Sequence, residues 1–496
     1  MKKNGSKPKS VFGNSAEYQT SVFNLRRENR MGTMNMKFGS TLCLAALLAA
    51  QNLSSGQEHI DNFHVTVEAE EEVYNYESAN NGSGPMWCHG NTSIVRVGDD
   101  VFASGIEVIS DAKPLNNCRT FLLHRTNSSW RRIFLDNERT REPSPLAMFN
   151  GGQVFLSVNP TLASPDAYSG PAQPGILEFQ SDTPSKAPRS VEPAWAENPK
   201  FTEHSYRSFV TDGESNEMIL LQNIGYAHAE WSFRDRNTKW SAQGKLVWPW
   251  GGEYEKPKPI RLCYPAVALK DRRLYFCGEG DITEPNAAWR EHKRKATGRE
   301  WDYVFRRLFY TWSDDITTGK FNGWLEIANR EKTAGHLRIC DLYVAPHGNV
   351  FILWHERALD NQLRTKFFPD AKQRYSLNCT IVRDGKIIQR TTLGEAGDGL
   401  GDNIPGQGRF QVTPDNRLFV IYHQRGVNDQ GQPISENRIV ELDEKGHPDE
   451  SITIPLEHPI GHFFTATVRA GCKPSNIVDI FGSVGKTMRY ARIRIN

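Results

Sequence analysis

Histidine, tyrosine and arginine recur at matching places along this chain, and together they can move protons and hold an anion. His89, His204, Tyr206, Tyr264 and His355 are bases and weak acids of the kind used in general acid–base catalysis. Glu203 and Asp341 are carboxylates that could assist them. Arg141, Arg207, Arg261, Arg338 and Arg409, joined by His423, could bind an anionic group, because a guanidinium fork fits a carboxylate in bidentate fashion. No GxSxG, HExxH or CxxC is present, so no serine nucleophile elbow, zinc site or thiol pair is signalled, and no cofactor or metal is expected.

These residues line up because they fall within a repeat. An apolar strand, a polar turn and a second, very apolar strand recur as CHGNTSIVRVGDDVFAS from Cys88, REPSPLAMFNGGQVFLS from Arg141 and EHSYRSFVTDGESNEMILL from Glu203. The pattern continues as RLCYPAVALKDRRLYFC from Arg261, RICDLYVAPHGNVFILW from Arg338 and GRFQVTPDNRLFVIY from Gly408, with a looser copy, GHFFTATVRAGCKPSNIVDIF, from Gly461. The second strands begin near Val101, Val154, Met218, Leu274, Val350, Leu418 and Ile477, a spacing of roughly 50 to 80 residues that leaves room for two more strands per unit. The expected fold is therefore all-β: a seven-bladed β-propeller with four-stranded blades. The last unit is one strand short, and the alternating segment HVTVEA (His64 to Ala69) could close it, removing the open edges.

In such a ring the first strand of each unit starts, and the second ends, on the same face. One mouth should then gather His89, Asn91, Glu142, Ser144, His204, Tyr206, Tyr264, Asp341 and Arg409, with Arg141, Glu203, Arg261 and Arg338 one residue away. Hairpin ends add Asn159, Glu279, His355 and His423. Asp341 and His355 are fourteen residues apart about Gly348, as are Arg409 and His423 about Asn416, so each pair is expected to face across its hairpin. A carboxylate beside His355 would raise its pKa. Cys263 and Cys277 share the spacing, which leaves a disulfide open.

Composition narrows the function class. The chain has 496 residues, 38% hydrophobic, with 40 Gly, 27 Pro and a net charge of +2, without the basic face that phosphate binding requires; nucleic acid is not an expected partner. From Met34 a lysine, an apolar run from Leu42 to Ala50 and then small polar residues follow the layout of a secretory leader. Residues 1–56 are accordingly read as a polar extension plus signal peptide, with the start at Met31, Met34 or Met36, and 57–496 as the propeller, secreted or periplasmic and without a membrane span once the leader is removed. The run contains Cys43 but lacks the small residues of a lipid-anchor site.

RDRNTKW (Asp235, Asn237, Trp240) and TWSDDITTGKFNGW (Ser313, Asp315, Trp324) resemble the Asp-box, or BNR, repeat of sialidase-like propellers, one with Asn for Gly and one with an insertion. RLCYPAVALKDRRLYF resembles a sialidase arginine strand beginning at Arg261. That resemblance implies a carboxylate clamp of Arg141, Arg261 and Arg338 and a tyrosine nucleophile, Tyr206 or Tyr264, partnered by Glu203. Sialidase propellers have six blades, however. Seven units resemble instead the seven-bladed polysaccharide lyases that act on uronate-containing chains such as ulvan or rhamnose–glucuronate polymers. This implies histidine and tyrosine as base and acid and arginine on the uronate; His89, His204, Tyr206 and Arg207 are residues of those types. Either way the expected partner is an acidic polysaccharide or glycoconjugate, cleaved by lyase or glycosidase chemistry or, in a non-catalytic propeller, only bound. If the leader is read correctly, N-terminal sequencing of exported protein will find a first residue between about Ala50 and Gln57; a mature chain that retains Met36 would refute it.

Overall fold

The alternation of apolar and polar residues in each repeat folds into short antiparallel strands, described in this computed structural model for residues 63–496 apart from Cys88, Ser205, Glu300, Trp301 and Asp429. The proposed extension and leader lie outside the described residues. Seven four-stranded sheets follow one another in chain order, and each numbered blade here takes its innermost strand first. They start at Ile94–Val97, Leu146–Met148, Arg207–Asp212, Arg261–Lys270, His336–Val344, Ile404–Val412 and His462–Thr465. The seventh blade is completed by Val65–Asn75, which pairs antiparallel with Thr487–Ile495 over its whole length, from Val65 opposite Ile495 to Asn75 opposite Thr487. The ring is closed by its own N-terminal strand, which forms the outermost strand of the last blade.

Apolar side chains on facing sheets bury one another between blades. Phe102, Leu122, Phe155, Phe209 and Leu220 join the first three blades, and Trp231, Phe233, Leu262 and Phe276 join the third to the fourth. Each such side chain contributes about 1.5–3 kcal/mol on burial. The turn between the outer two strands of the third blade is held by Asp235, whose carboxylate accepts N–H bonds from Asn237 (2.9 Å) and Lys239 (3.1 Å). Asp443 does the same in the sixth blade for Lys445 and His447 (2.8 Å each). Among the described residues no helix is long and apolar enough to cross a membrane.

Polar groups fill the axis. Arg469, from the seventh blade, donates to Asp341 of the fifth (2.7 Å), to the carbonyl of Val267 in the fourth (3.0 Å) and to that of Gly90 ahead of the first (3.2 Å). Asp341 also accepts from the amide of Phe410 in the sixth blade (2.9 Å). Removing one partner of such a buried pair costs about 3–5 kcal/mol.

The inner strands of blades four, five and six each carry a β-bulge at the mouth. Tyr264 and Pro265 are inserted between Cys263, opposite Glu279, and Ala266, opposite Cys277. Cys340 is the extra residue in the fifth blade, and Gly406 and Gln407 lie within the shift in the sixth. The equal spacings in the sequence are not cross-strand pairs, because the hairpins do not turn where that spacing requires. Asp341 faces Leu353, and His355 faces Arg338; Arg409 faces Ile421, and His423 lies opposite the bulge. Cys277 lies opposite Ala266 and Cys263 opposite Glu279, and both cysteines are buried free thiols. A bulge also accommodates Pro265 within a strand, since it leaves that residue outside the ladder.

Before the first inner strand, the chain crosses the mouth with almost no clearance. A Cβ on Gly90 would lie 2.1 Å from the carbonyl oxygen of Tyr264 and 2.4 Å from that of Pro265. Gly90→Ala should therefore push the loop bearing Trp87 and His89 off the fourth blade and destabilise the protein by about 1–3 kcal/mol. Thermal unfolding will measure this; an unchanged Tm would show that the contact is slack.

Candidate active site

The mouth is assembled from strand starts, strand ends and the Gly90 loop. Tyr206 and Tyr264, just before and within adjacent inner strands, have left-handed backbone at φ 39° and 47°. Such conformations cost bulky residues roughly 1–3 kcal/mol and persist where the surroundings enforce them. Here the enforcement is aromatic packing. The two rings meet edge to face at 4.9 Å between centroids, Tyr264 stacks on His89 at 4.4 Å, and Trp87 lies over Tyr206 at 6.2 Å. His204 packs on Tyr206 at 4.4 Å and is oriented by Glu142, with Nδ1 and Oε1 2.7 Å apart.

Beside this aromatic group lies a cluster of histidines and a cation. His89 Nε2 is 3.6 Å from Glu279 Oε1, and the other oxygen of Glu279 accepts the amide of Ile339 (3.1 Å). Burial, then the charge of Arg338, holds His89 well below the ordinary histidine pKa. The same two causes depress His336, and they lower His355 and His462 to about 3. Burial raises Glu279 to about 8, and pushes the phenols of Tyr206 and Tyr264 well above the ordinary tyrosine value. At neutral pH His89, His336, His355 and His462 are thus uncharged, the phenols of Tyr206 and Tyr264 are protonated, and Glu279 favours its protonated form beside the charged Arg338. Among the described residues no carboxylate lies within ion-pair distance of Arg338, and its buried Nε has no hydrogen-bond acceptor. His89 Nε2, Trp87 Nε1, Glu279 Oε1 and His462 Nε2 are likewise buried without a hydrogen-bond partner. Each such group costs about 1–3 kcal/mol unless a ligand or solvent satisfies it.

Arg261 is in a different state. It forms a buried ion pair with Asp281, which also accepts from the Cys263 thiol at 2.9 Å. Its guanidinium lies 5.2 Å from the Tyr206 ring centre, 4.1 Å from Tyr226 and 5.6 Å from Tyr303. Arg141 donates to the carbonyl of Asn81 (2.8 and 3.1 Å) while lying over Trp87 at 5.8 Å. The three arginines thus have separate tasks and do not form one clamp; among the described residues only Arg338 of the three has neither a carboxylate nor a carbonyl bonded to its guanidinium.

Of the residues expected at the site, the mouth brings together His89, His204, Tyr206, Tyr264, Arg261, Arg338 and His355, with Arg141 behind Trp87. Others point elsewhere. Arg207 donates to the carbonyls of Pro143 (2.9 Å) and Ser157 (3.1 Å). Arg409 donates to those of Cys340 (2.8 Å), Phe463 (3.3 Å) and His89. Asp341 is committed to Arg469, so it neither faces His355 nor raises its pKa; the neighbour of His355 is Arg338, whose effect is the opposite. Glu203 accepts from Gly170 (3.1 Å), and His423 shares a hydrogen bond with Ser435 (2.9 Å). Sequence reasoning passed over Trp87, Asp281, His336 and His462. Asp281 was within reach, two residues beyond Glu279 on the same strand face, and His462 begins the loosest copy of the repeat. Among the described residues no set of His, Cys, Asp and Glu is grouped to hold a metal ion.

No family model matches the sequence, and no curated protein matches it. Solved structures share the overall form at low identity. The polysaccharide lyase Uly1 aligns over 86% of this chain and 93% of its own, with a TM-score of 0.47 and 11% identity. An α-L-arabinofuranosidase from Fusarium graminearum aligns over 86% and 97%, with a TM-score of 0.41 and 9% identity. An α-L-arabinanase from Penicillium chrysogenum aligns over 86% and 98%, with a TM-score of 0.40 and 10% identity.

The charge pattern has a pH signature. Ionisation of Glu279 places a negative charge beside Arg338, so any affinity of the site for a small carboxylate anion should fall several-fold as pH rises through about 8. His89 is already neutral throughout that range and adds nothing to the change. Calorimetric titration should show this limb in the wild type and its loss in Glu279→Gln; a limb that survives the substitution would refute the assignment.

Proposed function

We propose that this protein is a carbohydrate-active enzyme that holds an anionic glycan at the propeller mouth and cleaves it by β-elimination. The observation that carries this reading is Arg338, a cation without a carboxylate partner, set beside an uncharged His89 that stacks on a protonated Tyr264. The proton at C5 of a uronate is hard to remove beside a negative carboxylate, and pairing with a guanidinium offsets that charge. His89 then takes the C5 proton, the C5–H electron pair becomes the C4–C5 double bond, and the C4–O bond breaks toward the leaving sugar. Tyr264 gives its phenolic proton to that oxygen, and solvent then takes the proton from His89 and returns one to Tyr264, restoring both. His204, held by Glu142, packs on Tyr206 next to this pair and is a positioning residue.

Hydrolysis through a tyrosine nucleophile is less well supported. A nucleophilic phenol needs an adjacent base or a depressed pKa. Burial raises both tyrosines, and Glu203 is hydrogen-bonded to Gly170. Hydrolysis by two carboxylates would find Glu279 protonated, but Asp281 is paired with Arg261 and Glu142 with His204. The leader-like segment adds export to the proposal, which suits a polymeric substrate outside the cell.

The test is incubation with a panel of acidic polysaccharides, following ultraviolet absorbance of the unsaturated uronate and release of reducing ends. Tyr264→Phe should lower turnover by about 10²–10⁴-fold with ligand affinity held within a few-fold. Arg338→Lys should weaken uronate binding beyond what its unchanged charge implies. A wild type that binds these glycans but cleaves none would make the mouth a binding module; full activity in Tyr264→Phe would remove that residue from the chemistry.

A further inference from the structure

Two tyrosines at the rim stand outside the chemistry above. Tyr226 occupies the turn between Glu217–Ile224 and His228–Arg234 of the third blade and is 55% exposed. Tyr303 belongs to a two-residue strand, Tyr303–Val304, that pairs with the end of Arg273–Thr283 in the fourth blade. Their hydroxyls are 2.9 Å apart, and both rings lie against Arg261, Tyr226 at 4.1 Å and Tyr303 at 5.6 Å. An exposed aromatic side chain ordinarily keeps its rotational freedom, and fixing it costs entropy that its own burial does not offset. Here the exposed Tyr226 and the half-buried Tyr303, from different blades, are fixed over one arginine.

The support beneath them is rigid. The insertion bearing Tyr303 carries the helix Ala287–Thr297 and is tied down by Glu284 to Arg306 (2.9 Å) and by Lys293 to Asp302 (2.8 Å) and Asp360 (3.2 Å). Asp302 immediately precedes Tyr303, so the anchor acts on that ring directly. The pair is also continuous with the mouth: Arg261 touches Tyr206, Tyr206 meets Tyr264, and Tyr264 stacks on His89. Because Asp281 already neutralises Arg261, the surface offered is aromatic and uncharged. That matches the C–H face of a sugar ring rather than its carboxylate.

We propose that Tyr226 and Tyr303 form an aromatic subsite that stacks on the sugar next to the one held at Arg338, an assignment that rests on the glycan-binding reading above. Uronate-containing and neutral oligosaccharides, each as disaccharide, tetrasaccharide and hexasaccharide, are titrated calorimetrically against the full chain carrying Tyr264→Phe, so that turnover does not deplete the ligand. Adding Tyr226→Ala should weaken the longer ligands by about five- to tenfold and leave the disaccharide within about twofold, whereas Tyr226→Phe, which keeps the ring and loses the hydroxyl contact, should retain affinity at every length. Equal loss at all lengths, or a Phe variant as impaired as the Ala one, would make the pair a structural clasp and overturn the subsite. If only the neutral series binds, with the same length dependence on Tyr226, the subsite stands and the anionic reading falls. Binding of neither series overturns both.

Discussion

The ion pair between Asp341 and Arg469 sets the terms for the rest of the molecule. A ring of seven sheets leaves an axis lined by inner strands, and whatever occupies it must satisfy the backbone groups it meets. Arg469 spans that axis, bonding to Asp341 and to carbonyls of Val267 and Gly90, while Asp341 takes the amide of Phe410. Blades four to seven and the segment before the first are thereby tied at one point. Arg409 adds bonds to Cys340, Phe463 and His89. Asn91 reaches the third blade through the amide of Phe209 (3.0 Å) and the carbonyl of Arg207 (2.6 Å). His89 is therefore held by the backbone on both of its sides, and its imidazole can be left without a partner of its own. The rigidity a reactive side chain needs comes from the channel beneath it.

The same economy explains the division among arginines. Buried guanidinium groups bonded to carbonyls tie blades together, as Arg207 and Arg409 do, and one paired with a carboxylate becomes a neutral support, as Arg261 does with Asp281. A guanidinium with neither a carboxylate nor a carbonyl bonded to it leaves its charge most open to act on its surroundings. Among the described residues Arg338 has that position, and its charge adds to burial, the larger cause, in keeping four histidines around it uncharged. A site that must hold an anion and still offer a free base has to reconcile both demands. Burial with an unpaired cation does so, because each disfavours the imidazolium form.

Local irregularity does the positioning. Bulges in three consecutive inner strands and left-handed backbone at Tyr206 and Tyr264 are departures from a regular blade, all at the same mouth. At Tyr206 and Tyr264 the irregular backbone is held by ring packing against each other and against His89.

The sequence by itself determined the architecture. Seven apolar–turn–apolar units, each with room for two more strands, and a spare alternating segment near the N-terminus imply a closed ring, because apolar faces must be buried and open edges must be paired. The mouth was legible as well, since alternate positions at strand starts share a face, and His89, Tyr206, Tyr264, Arg338 and His355 fell within it. The partners were not legible. Asp341 with His355, and Arg409 with His423, assume hairpins centred on Gly348 and Asn416, and each hairpin turns one residue earlier, which sets Asp341 opposite Leu353 and Arg409 opposite Ile421. Whether an arginine serves as strut, support or open cation depends on carboxylates and carbonyls contributed by other blades, far away in the chain. Tertiary structure alone decided that, because charge state and hydrogen bonding are properties of a three-dimensional neighbourhood, whereas strand periodicity is a property of adjacent residues.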